Sequence, residues 1–209
     1  MAITVHMSDP GNLGIKKVAK FGSGKCPEFK PTREFEEKLK EREELHDKIK
    51  SDIRKYLEDQ GFVCNEEYEL SQTINGAVLK GRADLLCSRG NSYVIIEVKS
   101  SYINRGKAMD LYQAYIYGYL YSKSNNVWPM VIVTYRLGSL GGGAGYVDIN
   151  GIRLPSKYFY VKLDPTSEWL RLEEVISEFK GRTYIVSNDC DVCDNNACPL
   201  KKVLQRQST

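Results

Sequence analysis

Three ionisable residues interrupt two otherwise apolar strands, and they limit what this chain can fold into more than any other feature. Residues 79–87 and 93–99 have strand composition, and Ser88-Arg89-Gly90-Asn91-Ser92 between them is turn chemistry. Leu85, Leu86, Val94, Ile95, Ile96 and Val98 make both faces apolar, as in the centre of a sheet. Into this hairpin the sequence sets Asp84 on one strand and Glu97 and Lys99 on the other. A tight closure on Gly90 and Asn91 puts Asp84 opposite Glu97, with Cβ atoms about 5 Å apart. Glu97 and Lys99, two residues apart, project from one face. Two carboxylates about 4 Å apart repel by roughly 4 kcal/mol at an effective dielectric near 20, and a dication between them reverses the sign. The pattern therefore reads as a divalent-metal site. The alternative is a surface hairpin that carries incidental charges.

The 209 residues are enough for one core with extensions. No apolar run approaches the roughly 20 residues that span a bilayer, and Met1 to Gly14 lacks the pattern of a secretory leader. The expectation is an intracellular, cytoplasmic protein with no membrane partner. A net charge of +3 does not by itself call for a nucleic acid. Lys16, Lys17, Lys20, Lys25 and Lys30 near the start, and Lys201, Lys202 and Arg206 near the end, form clusters that suit phosphate contacts or solvated tails equally.

Residues 1–20 have too little apolar periodicity to predict structure. A long helix is predicted over 32–60, with Pro31 and Thr32 at its start and Gly61 at its end. Its apolar stripe comprises Phe35, Leu39, Ile49, Ile53 and Leu57. His46 falls on that stripe and points inward, as a core residue or a ligand. A strand over 66–74 closes through Asn75-Gly76 onto the strand that bears Asp84. Beyond Lys99, a polar connection over 100–107 leads to a helix through Tyr121. A strand over 129–135 is expected parallel to its neighbour through that helical crossover. Gly138 to Gly145 is glycine-rich without the Gly-Lys-Ser/Thr ending of a phosphate loop, and reads as a flexible loop. A strand over 158–163 and a helix over 167–180 complete an α/β fold, a mixed sheet flanked by helices. The expected division is an N-terminal extension with Cys26 (1–30), a core (31–181) and a cysteine-rich tail (182–209).

Cys64 and Cys87 lie in predicted strands and read as small buried apolar residues. Cys190, Cys193 and Cys198 stand close together in a polar tail, at a spacing suited to one metal centre. Three ligands are one short of a closed site, and Cys26, before Pro27, can supply the fourth. Structural zinc or disulfides are the alternatives, although disulfides inside cells are usual only in hyperthermophiles.

Asp84 followed by Glu97-Val98-Lys99 resembles the signature of the PD-(D/E)xK nuclease superfamily, with Ala83 in place of the proline. Gly81-Arg82-Ala83-Asp84 is similar to the form found in RecB-type and CRISPR-associated adaptation nucleases. Gln113-Ala114-Tyr115-Ile116-Tyr117 matches the Gln-x-x-x-Tyr element of those families, and its two polar residues share a helix face. Tyr112, Tyr115, Tyr119 and Tyr121 crowd the same segment and suit a core. The resemblance implies a restriction-endonuclease-like core of helix, three-stranded meander, helix and strand. It implies Mg²⁺ or Mn²⁺ held by Asp84 and Glu97, with His46 and the backbone carbonyl of Val98 as further ligands. Glu43 and Glu44 are the rival acids of the long helix, expected to face solvent.

By the same resemblance, Lys99 orients the attacking water or stabilises transition-state charge. Gln113 positions water or a nucleotide, and Tyr117 stacks or contacts phosphate. Cys26, Cys190, Cys193 and Cys198 hold an iron–sulfur cluster that ties the chain ends together. The implied activity is DNA phosphodiester hydrolysis in replication, repair, recombination or CRISPR-type processing, as exonuclease or endonuclease. A junction-resolving enzyme would need a two-fold homodimer to make two symmetric cuts. A catalytically silent DNA-binding fold and a cysteine-metal redox protein are the readings from other classes.

Overall fold

The computed structural model describes residues 4–8, 13–102, 107–137, 145–163, 168–179, 181–187, 190 and 193–200. The elements run β1 (Thr4–Ser8), β2 (Leu13–Gly14), α1 (Ile15–Gly22), α2 (Arg33–Glu58), β3 (Val63–Ile74), β4 (Ala77–Arg89) and β5 (Ser92–Tyr102). They continue with α3 (Lys107–Asn125), β6 (Met130–Arg136), β7 (Tyr146–Ile149), β8 (Ile152–Pro155), β9 (Tyr158–Leu163), α4 (Glu168–Glu178) and β10 (Gly181–Ile185). Most of the predicted glycine-rich loop, the middle of the 100–107 connection, the side chains of Phe35 and Leu39, and Lys201, Lys202 and Arg206 fall outside the described residues.

A mixed six-stranded sheet in the order β2-β4-β5-β6-β9, with β3 also paired to β4, carries the fold. The predicted meander is β3-β4-β5, antiparallel throughout. Asn75 (φ 51°) and Gly76 (φ 80°) form its first turn, both in the left-handed region that a two-residue hairpin loop needs. After β5, α3 crosses over and returns the chain as β6, parallel to β5, and β9 adds antiparallel. One face of the sheet packs against α1, α3 and α4. The other packs against α2 through Ile49, Ile53 and Leu57, spaced i, i+4, i+8. The α/β class and the flanked mixed sheet thus follow the pattern expected from the sequence.

Strand β4 has two edges. One belongs to β3 from Ile74↔Ala77 to Val63↔Ser88, with a break at Asp84. The other is divided: β5 pairs with residues 85–89 and β2 with residues 79–80. On that edge, Gly81 to Asp84 have no strand partner.

Two expectations are corrected, and one element is new. Residues 13–22 were placed in an extension, yet Leu13, Ile15, Val18 and Ala19 are buried in the main core. Packing of α1 against α3, α4 and β4 turns their short amphipathic pattern into core. Cys64 and Cys87 are joined in a disulfide rather than standing as free apolar residues, because the β3–β4 register sets them directly opposite. An unanticipated hairpin, β7–β8, closes on Asn150 (φ 54°) and Gly151 (φ 80°) and lays Ile152 and Leu154 on the α2 side of the core.

Gly81 is needed where α1 meets β4, since an added Cβ would stand 2.7 Å from Ile15 Cδ1 and 3.1 Å from Ile15 Cβ. Gly81→Ala is expected to lower stability to urea by about 1–3 kcal/mol through overpacking. An unchanged midpoint would show that α1 is not seated as described.

Candidate functional site

The β4–β5 ladder stops at Leu85↔Ile96, one position short of Asp84 and Glu97. Beyond that point the Val98 amide donates to Asp84 Oδ2 at 2.6 Å instead of to a strand carbonyl. The β3–β4 ladder likewise skips Glu67 and Asp84, and Glu67 takes φ 50°. A left-handed glutamate is strained, so something must hold it there. Lys50 on α2 does so, its Nζ 2.9 Å from Glu67 Oε1. One turn earlier on the same helix, His46 Nε2 lies 3.2 Å from Asp84 Oδ2. Helix α2 thus grips both strands where they part.

Glu97 is 2% exposed. Its Oε1 accepts from Lys99 Nζ and from Gln113 Nε2, both at 2.7 Å. Lys99 Nζ also donates to Gln113 Oε1 at 3.2 Å, and Gln113 Nε2 donates to the Tyr117 hydroxyl at 3.0 Å. Glu97 Oε2 is buried and has no hydrogen-bond partner. A carboxylate oxygen left in that state costs several kcal/mol unless something binds it.

Electrostatics follow from this burial. Burial, reinforced by the Asp84 charge and only partly offset by Lys99, pushes the Glu97 carboxyl up to about 7. Asp84 is also pushed up by burial, but the His46 hydrogen bond and the nearby cations outweigh this and hold it below the usual range. His46 is raised, chiefly by its bond to Asp84. Burial works against the Lys99 ammonium, yet the charges of Glu97 and Asp110 keep its pKa above normal. Lys16, at the start of α1, lies near enough for its charge to draw Glu97 down.

The sequence-derived residues therefore form two hydrogen-bonded groups, His46 with Asp84, and Glu97 with Lys99, Gln113 and Tyr117. The Val98 amide and the charges of Asp84 and Lys99 link the two. Glu43 and Glu44 are exposed, as expected. Sequence reasoning missed Lys50, Glu67 and Asp110. Lys50 carried a signal, four residues after His46 on the same stripe, and so did Asp110, three residues before Gln113 on α3, whereas Glu67 had none. The hard oxygen donors of Asp84 and Glu97, one of them an orphan, suit Mg²⁺ or Mn²⁺. Among the described residues, however, no three histidine, cysteine or acidic side chains form a ready-made metal cluster.

A second constellation joins the chain ends. Cys26, Cys190, Cys193 and Cys198 are free and line one cavity together with Phe29, Ile185 and Asn195. The tail is strapped to residues 28–31: the Asp194 amide donates to the Lys30 carbonyl at 2.9 Å, Asn195 Nδ2 donates to the Glu28 carbonyl at 2.7 Å, and Cys193 bridges to Pro31. Burial raises the Cys26 thiol, and Cys198 and Cys190 add to that shift by their charge. Among the described residues, no three of these thiols form a ready-made metal cluster either.

A carboxyl whose folded pKa exceeds its unfolded value of 4.5 stabilises the fold fully below that value, and the contribution is lost as pH rises to about 7. Metal-free protein is therefore expected to lose up to about 3 kcal/mol of stability between roughly pH 5 and pH 8, a loss that Glu97→Gln removes. Thermal unfolding in chelator across that range measures it. A step of the same size in Glu97→Gln would assign the titration elsewhere.

No protein-family model matches the chain, and no curated protein matches it. Among solved structures, the crystal structure of SSO0001 is similar at 15% identity and a TM-score of 0.49, covering 83% of this chain and 77% of that one. Among the described residues, no helix is long and apolar enough to cross a membrane.

Proposed function

We propose that this chain is a Mg²⁺- or Mn²⁺-dependent DNA nuclease of the PD-(D/E)xK type. The observation that carries this reading is the partnerless, buried Glu97 Oε2 beside Asp84, on a stretch of β4 edge with no strand to close it. A bound dication would be held by Asp84 and Glu97 and would supply a water of lowered pKa and a Lewis acid for the phosphodiester. His46 fixes the Asp84 carboxylate from α2, and the Val98 amide fixes it from the backbone. Lys99, a preorganised donor in a buried setting, orients the attacking water or stabilises the charge that develops on the phosphate. Gln113 holds Glu97 Oε1 and Tyr117 in one line along α3.

The cysteine cavity supports a second part of the reading, a metal centre on Cys26, Cys190, Cys193 and Cys198. Four thiols from opposite chain ends line one cavity, the number and kind of ligand that an iron–sulfur cluster or zinc takes. Iron–sulfur follows from the resemblance. A DNA substrate goes with an intracellular, cytoplasmic setting, where the Cys64–Cys87 disulfide would be of the kind met in hyperthermophiles.

Single-stranded, duplex, flapped and four-way DNA incubated with Mg²⁺ or Mn²⁺ tests the activity and separates exonuclease from junction-resolving cleavage. Glu97→Ala is expected to abolish cleavage without unfolding the protein, and His46→Ala to slow it by about 10–100-fold. Full activity in Glu97→Ala would refute the site. For the cysteines, anaerobically purified protein is expected to be brown, and Cys193→Ser to be colourless. Bound zinc or metal-free thiols in the wild-type protein would overturn the iron–sulfur assignment.

A further inference from the structure

Asp110 lies in the first turn of α3 and is 4% exposed. A carboxylate at a helix start is ordinarily explained by the helix dipole, but that explanation does not require burial. A buried carboxylate needs a partner to offset its lost hydration. Asp110 Oδ1 stands 3.7 Å from Lys99 Nζ. Asp110 is also three residues before Gln113, so both reach Lys99 from one face of α3. The Tyr135 hydroxyl is buried beside it, raised first by burial and then by the Asp110 charge, although it makes no hydrogen bond of ordinary geometry.

Lys99 donates to Glu97 Oε1 at 2.7 Å and to Gln113 Oε1 at 3.2 Å. Only Glu97 carries charge, and Glu97 is the residue a divalent cation would claim. A dication held by Asp84 and Glu97 would repel the Lys99 ammonium and compete with it for the Glu97 carboxylate. Gln113 is neutral and cannot offset that repulsion. Without another counter-charge, the flexible lysine side chain would swing out to water.

We propose that Asp110 is a positioning residue that holds the Lys99 ammonium in the site against a bound divalent cation. It stands outside the set Asp84 and Glu97, so its charge stays available to Lys99 when those two are occupied. The contact is independent of what the site does. Its consequence for hydrolysis rests on the nuclease reading.

Two measurements test this and separate its failure from that of the nuclease reading. In single-turnover cleavage with Mg²⁺, Asp110→Asn is expected to lose about 10–100-fold in rate with KM for DNA unchanged, and the smaller Asp110→Ser to do the same. Adding Asp110→Asn to Lys99→Ala is expected to cost nothing further, because the carboxylate acts through the lysine. An additive loss in that background, or a wild-type rate in Asp110→Asn, overturns the proposal. The second measurement needs no turnover. In protein labelled with ¹⁵N-lysine, the Lys99 ammonium signal, identified by its loss in Lys99→Ala, is expected to persist with Mg²⁺ in the wild type and to merge with the solvent-exposed lysines in Asp110→Asn. A signal that behaves alike in the two proteins overturns the proposal whether or not DNA is cut, whereas absence of cleavage by the wild type refutes only the nuclease reading.

Discussion

The structure turns on the fact that β4 has one edge for two neighbours. β3 occupies the opposite edge, with one break at Asp84, so β2 and β5 divide what remains and do not meet. Four residues, Gly81 to Asp84, stay without a strand on that side. Backbone groups in a buried sheet must find partners. Here the Val98 amide takes the Asp84 carboxylate as its acceptor. An acid that would be costly inside a continuous sheet thus becomes part of the hydrogen bonding where the sheet divides.

From that opening the charges follow as a chain of dependencies. Asp84 stays ionised because His46 and an amide bond it, and its charge in turn adds to the burial that raises Glu97. Glu97 is kept in place by Lys99 and Gln113, yet only through one oxygen. α2 contributes His46 to Asp84 and Lys50 to the left-handed Glu67 on the strand opposite, so one helix face serves both strands. Each of these groups is expensive to bury alone. Together they leave Glu97 Oε2 buried without a hydrogen-bond partner.

The legible part of this was local. The tight turn at Gly90 and Asn91 set the β4–β5 register, and with it the approach of Asp84 to Glu97. The helical spacing of Gln113 and Tyr117 put both on the site face of α3. The Asn75-Gly76 turn carried the β3–β4 register as well, and extending it places Cys64 opposite Cys87. Reading each cysteine by its own burial concealed that pairing. Asp110 was legible only as a residue on the Gln113 face of α3, since its role depends on a lysine from another element and on tertiary packing. The same holds for α1, whose Ile15, Val18 and Ala19 become core only when α1 packs against α3, α4 and the Gly81 stretch of β4.

The central claim, that Asp84 and Glu97 share one divalent cation, is tested most directly by titrating Mn²⁺ into wild type and into Asp84→Ala and Glu97→Ala at about pH 8, with binding followed by the free-ion paramagnetic signal. The expected result is a Mn²⁺ site in the wild type that is lost in each variant, while both variants keep their fold. Undiminished Mn²⁺ binding in both variants, or none in the wild type, would contradict it.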